Sequence, residues 1–205
     1  MKKNFFIISL LSVLFLIVTS GCTKSESMSN ISVKEDSKYV ETFKELNIGV
    51  LQDYNLTLMN ADKTWVNIWV EKYVDGNREP EPLTQLSYGN SPEKVDQGSI
   101  VFGMINPHSE EPLVLLNGPD VSVTPHKIEK LISSVGASGW ETVIGEEEIE
   151  LELGKTYILG AYRVNEEPAI RTYDLQKEEE IQHMINNDDV VLLLKLKISF
   201  SEFNQ

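Results

Sequence analysis

Alternation of apolar and polar residues is the feature that most constrains the fold of this chain. In the segment VVLLLKLKISF, alternate positions from Val190 to Phe200 are all apolar, whereas the positions between them become polar from Lys195 onward. A period of two is typical of a β-strand, because successive side chains point to opposite faces of a sheet. The segment therefore predicts a long strand with one face in the core.

Shorter segments of the same kind recur along the chain. In EIELELG (148–154), Ile149, Leu151 and Leu153 alternate with glutamates. Four more β candidates are bounded by Gly, Pro or Asn, namely 55–59, 99–105, 112–116 and 156–164. Several short strands separated by turn signals favour a mainly β fold, an antiparallel sandwich with one or two short helices.

One motif refines this prediction. Leu151, Gly154 and Tyr157 in LELGKTY have a spacing that resembles the tyrosine corner of Greek-key, immunoglobulin-like sandwiches. The resemblance implies that the Tyr157 hydroxyl bonds back to the main chain where the strand turns from one sheet to the other. It also implies that Gly154 makes the turn and that Leu151 lies in the core.

Helices are predicted beside the strands. Thr124-Pro125 predicts the start of one helix, and Gly136 predicts its end. Between them, four apolar residues have helical spacing: Ile128, Leu131, Ile132 and Val135. Asp174 is predicted to cap a second helix, whose apolar face consists of Ile181, Met184 and Ile185. The segment that starts at Lys38 is either a short helix or the entry to a strand.

The first residues have the organisation of a secretory signal peptide. Lys2 and Lys3 precede an apolar run from Phe5 to Val18, and small residues follow. The run is about 14 residues long, whereas a helix needs about 20 to cross a bilayer. The sequence therefore predicts a cleaved signal over 1–21 rather than a permanent transmembrane anchor.

The end of this segment, Thr19-Ser20-Gly21-Cys22, resembles the lipobox of bacterial lipoproteins, although family members usually have Leu where this chain has Thr19. The resemblance implies that the Cys22 sulfur carries a diacylglycerol and that palmitate or a similar acyl chain can be added to the new N-terminus. Several acyl chains hold a protein on a membrane, whereas one binds reversibly. We therefore expect a lipid-anchored protein of the bacterial cell membrane that faces outside the cytoplasm. The alternative is an ordinary signal peptide followed by release.

Composition limits the partners and the domain count. Removal of residues 1–21 takes away Lys2 and Lys3, so the formal net charge of −14 becomes −16 over the remaining 184 residues. Such acidity argues against nucleic acid as a partner. A polar, Ser-rich stretch predicts a flexible tether over 22–37 that begins at the lipidated cysteine. We expect one β-sandwich domain over 38–205.

The sequence lacks recognisable catalytic motifs. There is no Gly-rich phosphate loop, no His-Glu-x-x-His and no Gly-x-Ser-x-Gly, and Cys22 is the only cysteine. Ser91 and Lys94 match Ser-x-x-Lys formally, but they lie in a polar loop without its companion motifs. We therefore predict no cofactor and no catalytic residues.

No metal site is predicted either. The histidines His108, His126 and His183 lie far apart and favour surface positions. Three acidic runs fit solvated faces better than calcium loops, namely Glu146–Glu148, Glu178–Glu180 and Asp188-Asp189.

The segment TWVNIWVEKYVDGN is the best candidate for a binding surface. As a strand it places Val66, Ile68, Val70 and Val74 on one face, and on the other a stripe of mixed aromatic and polar residues: Trp65, Asn67, Trp69, Glu71 and Tyr73. Flat rings beside polar groups suit a sugar, peptide or polymer ligand. The alternative, which we favour, is that the tryptophans are buried under the predicted 125–135 helix or a loop. The strand then turns at Asp75-Gly76.

These observations favour a non-enzymatic, lipid-anchored module that binds an unknown protein, peptide or envelope polymer, with Trp65, Trp69 and Tyr73 as its possible contacts. Two alternatives stay open. One is an envelope-associated hydrolase or metal-dependent enzyme without a recognisable motif, and the other is a structural or protective surface protein.

Overall fold

The computed structural model describes residues 28–145 and 147–200, which form twelve β-strands and two α-helices. The strands are β1 (Asn30–Val33), β2 (Gly49–Met59), β3 (Thr64–Val74), β4 (Asn77–Arg78), β5 (Thr84–Gly89), β6 (Val95–Ile105), β7 (Leu113–Gly118), β8 (Val121–Lys127), β9 (Ala137–Thr142), β10 (Ile149–Glu150), β11 (Thr156–Asn165) and β12 (Val190–Phe200). The helices are α1 (Lys38–Leu46) and α2 (Glu178–Asn187).

The strands form two six-stranded sheets. The first sheet has the order β10-β1-β2-β6-β7-β8, and the second has the order β4-β3-β12-β11-β9, with β5 also paired to β3. Every pairing between these strands is antiparallel. The prediction of a mainly β, antiparallel sandwich with one or two short helices is confirmed, although not every helix lies where it was predicted.

The core lies between the two sheets and follows the alternation of the strands. On β12, Leu192, Leu194 and Leu196 are fully buried, whereas Lys195 and Lys197 on the other face are half-buried. Side chains of the first sheet, including Tyr54 and Phe102, pack against them from the opposite side. The other predicted β segments, 55–59, 99–105, 112–116 and 156–164, fall within or largely within β2, β6, β7 and β11.

Both helices lie outside this core. Ser37 caps α1 through its hydroxyl, which accepts a hydrogen bond from the Val40 amide at 3.4 Å. Met184 and Ile185 of α2 are buried and pack against Val191 and Leu193 on the outer face of the second sheet. The apolar face of α2 is therefore the predicted one.

The predicted cap of α2 is wrong. The Asp174 carboxylate accepts a hydrogen bond from the Gln176 amide at 3.2 Å, in the turn before the helix. The N-cap of α2 is Lys177, which makes no side-chain capping bond. Asp174 therefore stabilises the preceding turn rather than the helix start.

The predicted helix that starts at Thr124-Pro125 is also wrong. This dipeptide lies in β8, and the residues that follow it up to 136 form no helix. β8 is an edge strand, where a proline without an amide donor is tolerated. Pairing with β7 continues to Lys127, and the Ile128 amide donates to the Pro112 carbonyl at 2.9 Å. Leu131 still packs on the core. The apolar pattern therefore predicted a buried side chain correctly, although the segment is not a helix.

The ordered fold begins earlier than the predicted boundary at residue 38. β1 lies inside the stretch 22–37 that was expected to be a tether, and it pairs with both β2 and β10. Ile31 of β1 is fully buried, and Ser37 is 4% exposed. The prediction of a flexible tether is therefore wrong for residues 30–37, because two neighbouring strands supply the hydrogen bonds that this polar stretch needs.

The strand predicted over 148–154 shortens to the two residues of β10. Leu151 is buried as expected, but Leu153 is 47% exposed. Gly154 has φ +82°, a left-handed conformation that favours glycine, and it lies in the turn between β10 and β11. The chain then enters β11 at Thr156.

The Tyr157 hydroxyl makes the main-chain contacts that the corner motif implies. It accepts a hydrogen bond from the Glu152 amide at 2.8 Å and donates one to the Glu150 carbonyl at 3.2 Å. The back-bonding of this tyrosine is therefore confirmed, whereas the likeness of the whole domain to immunoglobulin-like sandwiches stays a prediction.

Candidate functional site

β3 divides its side chains between the core and the outer face of the second sheet, as predicted. Val66, Ile68 and Val70 are fully buried. Trp65 and Trp69, on the other face, are half-buried. The expectation that a 125–135 helix covers these rings is wrong, because that helix is absent. The predicted hairpin exit is confirmed, since Asp75 and Gly76 have φ values of 48° and 78° between β3 and β4.

Trp65 makes a structural contact with the neighbouring strand. It pairs with Gly89 of β5, and a Cβ placed on Gly89 would lie 2.5 Å from Cε3 of the indole. The ring therefore occupies the space over Gly89 that a side chain would fill. Of the three predicted contact residues, Trp65 is the one whose ring packs over a glycine of the neighbouring strand.

Glu71 is the centre of the stripe, and the sequence alone did not indicate a role for it. Its side chain is 8% exposed. One carboxylate oxygen accepts from Trp69 Nε1 at 3.1 Å, and the other accepts from the Tyr73 hydroxyl at 2.7 Å and from Lys195 Nζ at 2.8 Å. Arg78 Nη1 lies 3.5 Å from the first oxygen. Trp69 and Tyr73 are therefore held in place by one carboxylate.

This arrangement fixes the protonation states of the centre. Burial alone would raise the pKa of Glu71, but hydrogen bonds from Lys195, Trp69 and Tyr73, with the charge of Lys195, outweigh it and lower that pKa to about 2. Burial, together with the hydrogen bond to Glu71 and its negative charge, raises the pKa of Tyr73 to about 12. Glu71 is therefore ionised and Tyr73 protonated at neutral pH, which suits a rigid scaffold rather than an acid–base pair.

A shallow groove of about 350 Å³ lies beside this centre on the outer face of the second sheet. Its lining includes Trp69 and Glu71 but neither Trp65 nor Tyr73. The other lining residues come from β3, β4, β5, β12 and the segment after β4: Asn67, Ile68, Arg78, Glu81, Pro82, Gln85, Ser87 and Lys197. We call this depression the β3 groove.

The β3 groove combines one aromatic ring with amides, a hydroxyl and both signs of charge. The Ser87 hydroxyl donates to Asn67 Oδ1 at 2.7 Å, so the Asn67 amide group is oriented by its neighbour on β5. Arg78 and Lys197 supply cationic donors. Such a surface can hold a flat polar ligand through stacking and hydrogen bonds.

A second cavity of about 440 Å³ lies beside the start of β2. His108 Nε2 lies 3.2 Å from the Ser138 hydroxyl there, and Tyr162 also lines the cavity. The two partners are 30 residues apart, so sequence spacing could not have paired them. A serine beside a histidine is the minimum for nucleophilic catalysis, but within the described residues no carboxylate hydrogen-bonds to the His108 ring.

The other histidines do not join this cavity. His183 is exposed on α2, and the half-buried His126 lies 3.4 Å from the Leu83 carbonyl. Among residues 28–145 and 147–200, no group of three or more His, Cys, Asp or Glu residues is arranged to hold a metal ion.

One predicted solvated acid is buried instead. Asp188 is 4% exposed and pairs with Arg163 of β11, which is fully buried. Arg163 also contacts Glu141 and donates to the Arg171 carbonyl at 2.8 Å, and its guanidinium lies 4.8 Å from the centre of the Tyr173 ring. Burial alone would lower the pKa of Arg163, but the hydrogen bonds and negative charges of Asp188 and Glu141 outweigh this effect and raise that pKa. This network fastens the segment before α2 to the second sheet.

The predicted lipidation site, Cys22, lies outside the described residues. Within the described part of the chain, no helix has the length and apolar character needed to span a bilayer. Comparison of the chain with protein-family models, curated proteins and solved structures finds no match.

Proposed function

We propose that the chain is a lipid-anchored, extracytoplasmic module on the bacterial cell surface that binds a protein, peptide or envelope polymer in the β3 groove. The observation that carries this proposal is the position of Trp69, whose indole is held by Glu71 at the wall of an open groove. A ring that is already fixed loses little conformational entropy when a ligand stacks on it.

The anchor supports the extracytoplasmic location. Cys22 is the only thiol of the chain and follows an apolar run of signal-peptide length. A thiolate is the side chain best suited to accept a lipid as a thioether. The high net negative charge favours solubility of the domain behind the anchor.

Binding fits the chemistry of the β3 groove better than catalysis does. Glu71 is its best-connected carboxylate, and its lowered pKa makes it a poor proton donor or acceptor near neutral pH. Its oxygens are also occupied by Trp69, Tyr73 and Lys195. The groove therefore offers shape and fixed donors but no free acid–base group at its centre.

Co-sedimentation with purified peptidoglycan sacculi tests the envelope-polymer form of this proposal. Lys197→Glu reverses a charge in the groove, so we expect the variant to pellet with sacculi less than the wild type. Lys155→Glu makes the same change at an exposed position outside the groove and is the matched control. Equal sedimentation of all three proteins would contradict binding in the β3 groove.

The hydrolase alternative has one specific observation in its favour, the contact between His108 and Ser138. Release of 4-nitrophenol from 4-nitrophenyl acetate that is lost in Ser138→Ala would favour an enzyme over a binding module. A chain that neither binds envelope material nor hydrolyses esters would fit the third alternative, a structural or protective surface protein.

A further inference from the structure

Exposed apolar side chains gather at one end of the sandwich. The described residues expose six large apolar side chains: Met28, Tyr39, Leu46, Val95, Leu153 and Phe200. Met28, Leu153 and Phe200 line one shallow depression of about 330 Å³. Val95 pairs with Met59, which lines the same depression. We call Met28, Val95, Leu153 and Phe200 the apolar end patch.

The patch contains groups that a soluble domain normally shields. Phe200 is 63% exposed, although it ends the strand that forms the centre of the second sheet. Leu153 is 47% exposed next to the Gly154 turn. Single exposed apolar residues are common, whereas several that share one depression form a candidate contact surface, here with polar groups such as Asn60 and Glu152 beside them.

The predicted lipid is close to the patch along the chain. Cys22 precedes Met28 by six residues, which span at most about 20 Å when fully extended. Because residues 30–37 belong to the fold, the connection between the lipid and the domain is short. A lipid at Cys22 therefore keeps the end of the domain that carries Met28 near the bilayer.

The opposite end of the domain is too far away to share this position. β2 begins at Gly49, close to Leu46, and ends at Met59 beside the patch. Its eleven residues separate the two ends by roughly 35 Å. The patch is thus the exposed apolar surface that the anchor brings to the membrane, whereas Leu46 lies at the far end of the domain.

We propose that the apolar end patch inserts into the headgroup region of the bilayer that carries the lipid anchor, so that the strands stand away from the membrane. This inference rests on the lipid anchor of the proposed function. The occupant is a lipid surface with no required negative charge, because the acidic chain is repelled by anionic lipids. Such an orientation raises Arg78, at the far end of the β3 groove, away from the membrane.

Quenching by brominated phosphatidylcholine tests the orientation. The mature, lipidated chain is placed in phosphatidylcholine vesicles as Phe200→Trp or as Leu46→Trp, two positions that are both 63% exposed in the native chain. The emission of the wild type, with Trp65, Trp69 and Trp140, is subtracted. We expect strong quenching at position 200 and none at position 46.

The depth of the bromine atoms sharpens this result. Interfacial apolar side chains reach about 5–10 Å into the headgroup and acyl boundary. Bromines near the headgroup should therefore quench Phe200→Trp more than bromines near the chain ends. Equal urea midpoints for both variants and the wild type establish that the substitutions leave the fold intact.

Four other outcomes overturn the proposal. If the protein partitions into detergent but position 200 is not quenched, the result is consistent with the anchor and refutes the insertion of the patch. Equal quenching at positions 200 and 46 refutes the orientation. Unquenched protein with a doubled mass in detergent would mean that a second copy of the chain covers the patch. Wild-type protein that stays in the aqueous phase refutes the anchor itself.

Discussion

Glu71 carries a negative charge in a nearly buried position, and four neighbouring side chains compensate for it. Trp69, Tyr73 and Lys195 donate hydrogen bonds to its carboxylate, and Arg78 lies nearby. Lys195 is 124 residues away along the chain, on β12. The alternation of β3 predicted which face Glu71 occupies, but only the pairing of β3 with β12 could bring the lysine to it.

Loss of this charge should lower stability in a pH-dependent way. The pKa of Glu71 falls from 4.5 to about 2 on folding, so its contribution is present above pH 4.5 and is lost as the pH falls towards 2. One pKa unit corresponds to about 1.4 kcal/mol, so Glu71→Gln should cost about 3 kcal/mol at pH 7.

Urea unfolding at pH 7 and at pH 2 measures this difference. The gap between wild type and Glu71→Gln should largely close at the lower pH. Glu111→Gln removes a carboxylate that is 64% exposed and paired with Lys127, so it serves as the control with no comparable pH dependence. An equal cost for Glu71→Gln at both pH values would contradict the ionised, compensated state of Glu71.

At the scale of single elements, the strands were the most predictable part of the chain. Their alternation predicts which face is buried, and β12 follows it from Val190 to Ile198, whereas Phe200 at its end is exposed. The failures occurred where one apolar pattern fits two structures. Ile128, Leu131 and Val135 have helical spacing, yet the hydrogen bonds of β8 to β7 prevent a helix from starting at Thr124. Strand pairing is non-local, so residue spacing could not decide this case.

The buried ion pair shows a second limit of sequence interpretation. Arg163 and Asp188 are 25 residues apart and belong to β11 and the turn before β12. A lone arginine in an apolar strand indicates an unusual environment, but it does not identify the partner. The residues that the sequence predicted as contacts, Trp65, Trp69 and Tyr73, share one face of one strand, but only Trp69 lines the β3 groove.

The turn between β10 and β11 gives a test at this scale. Tyr157→Phe removes a hydroxyl that bonds to two main-chain groups, so it should cost about 1 kcal/mol. The denaturant midpoint should fall while the slope stays unchanged. Tyr39→Phe, at a ring that is 63% exposed on α1, is the matched control. A midpoint for Tyr157→Phe that equals the control would mean that the corner contact contributes nothing to stability.

At the scale of the whole molecule, the proposed lipid anchor, the apolar end patch and the β3 groove fit one arrangement. The patch lies at one end of the strands, and the groove opens on the outer face of the second sheet. With the proposed lipid on Cys22, a ligand can approach the groove from outside while the lipid holds the domain. This arrangement depends on the chemistry of Cys22, which the apolar run and the small residues before it predict.

The intact mass of the mature protein tests this central claim most directly. We expect a chain that begins at Cys22 and carries the added mass of a diacylglyceryl group, with or without a further acyl chain. Cys22→Ser, produced in the same bacterial host, should lack that mass and retain residues 1–21. A wild-type chain with an unmodified cysteine, or one cut at another position, would contradict the lipid anchor.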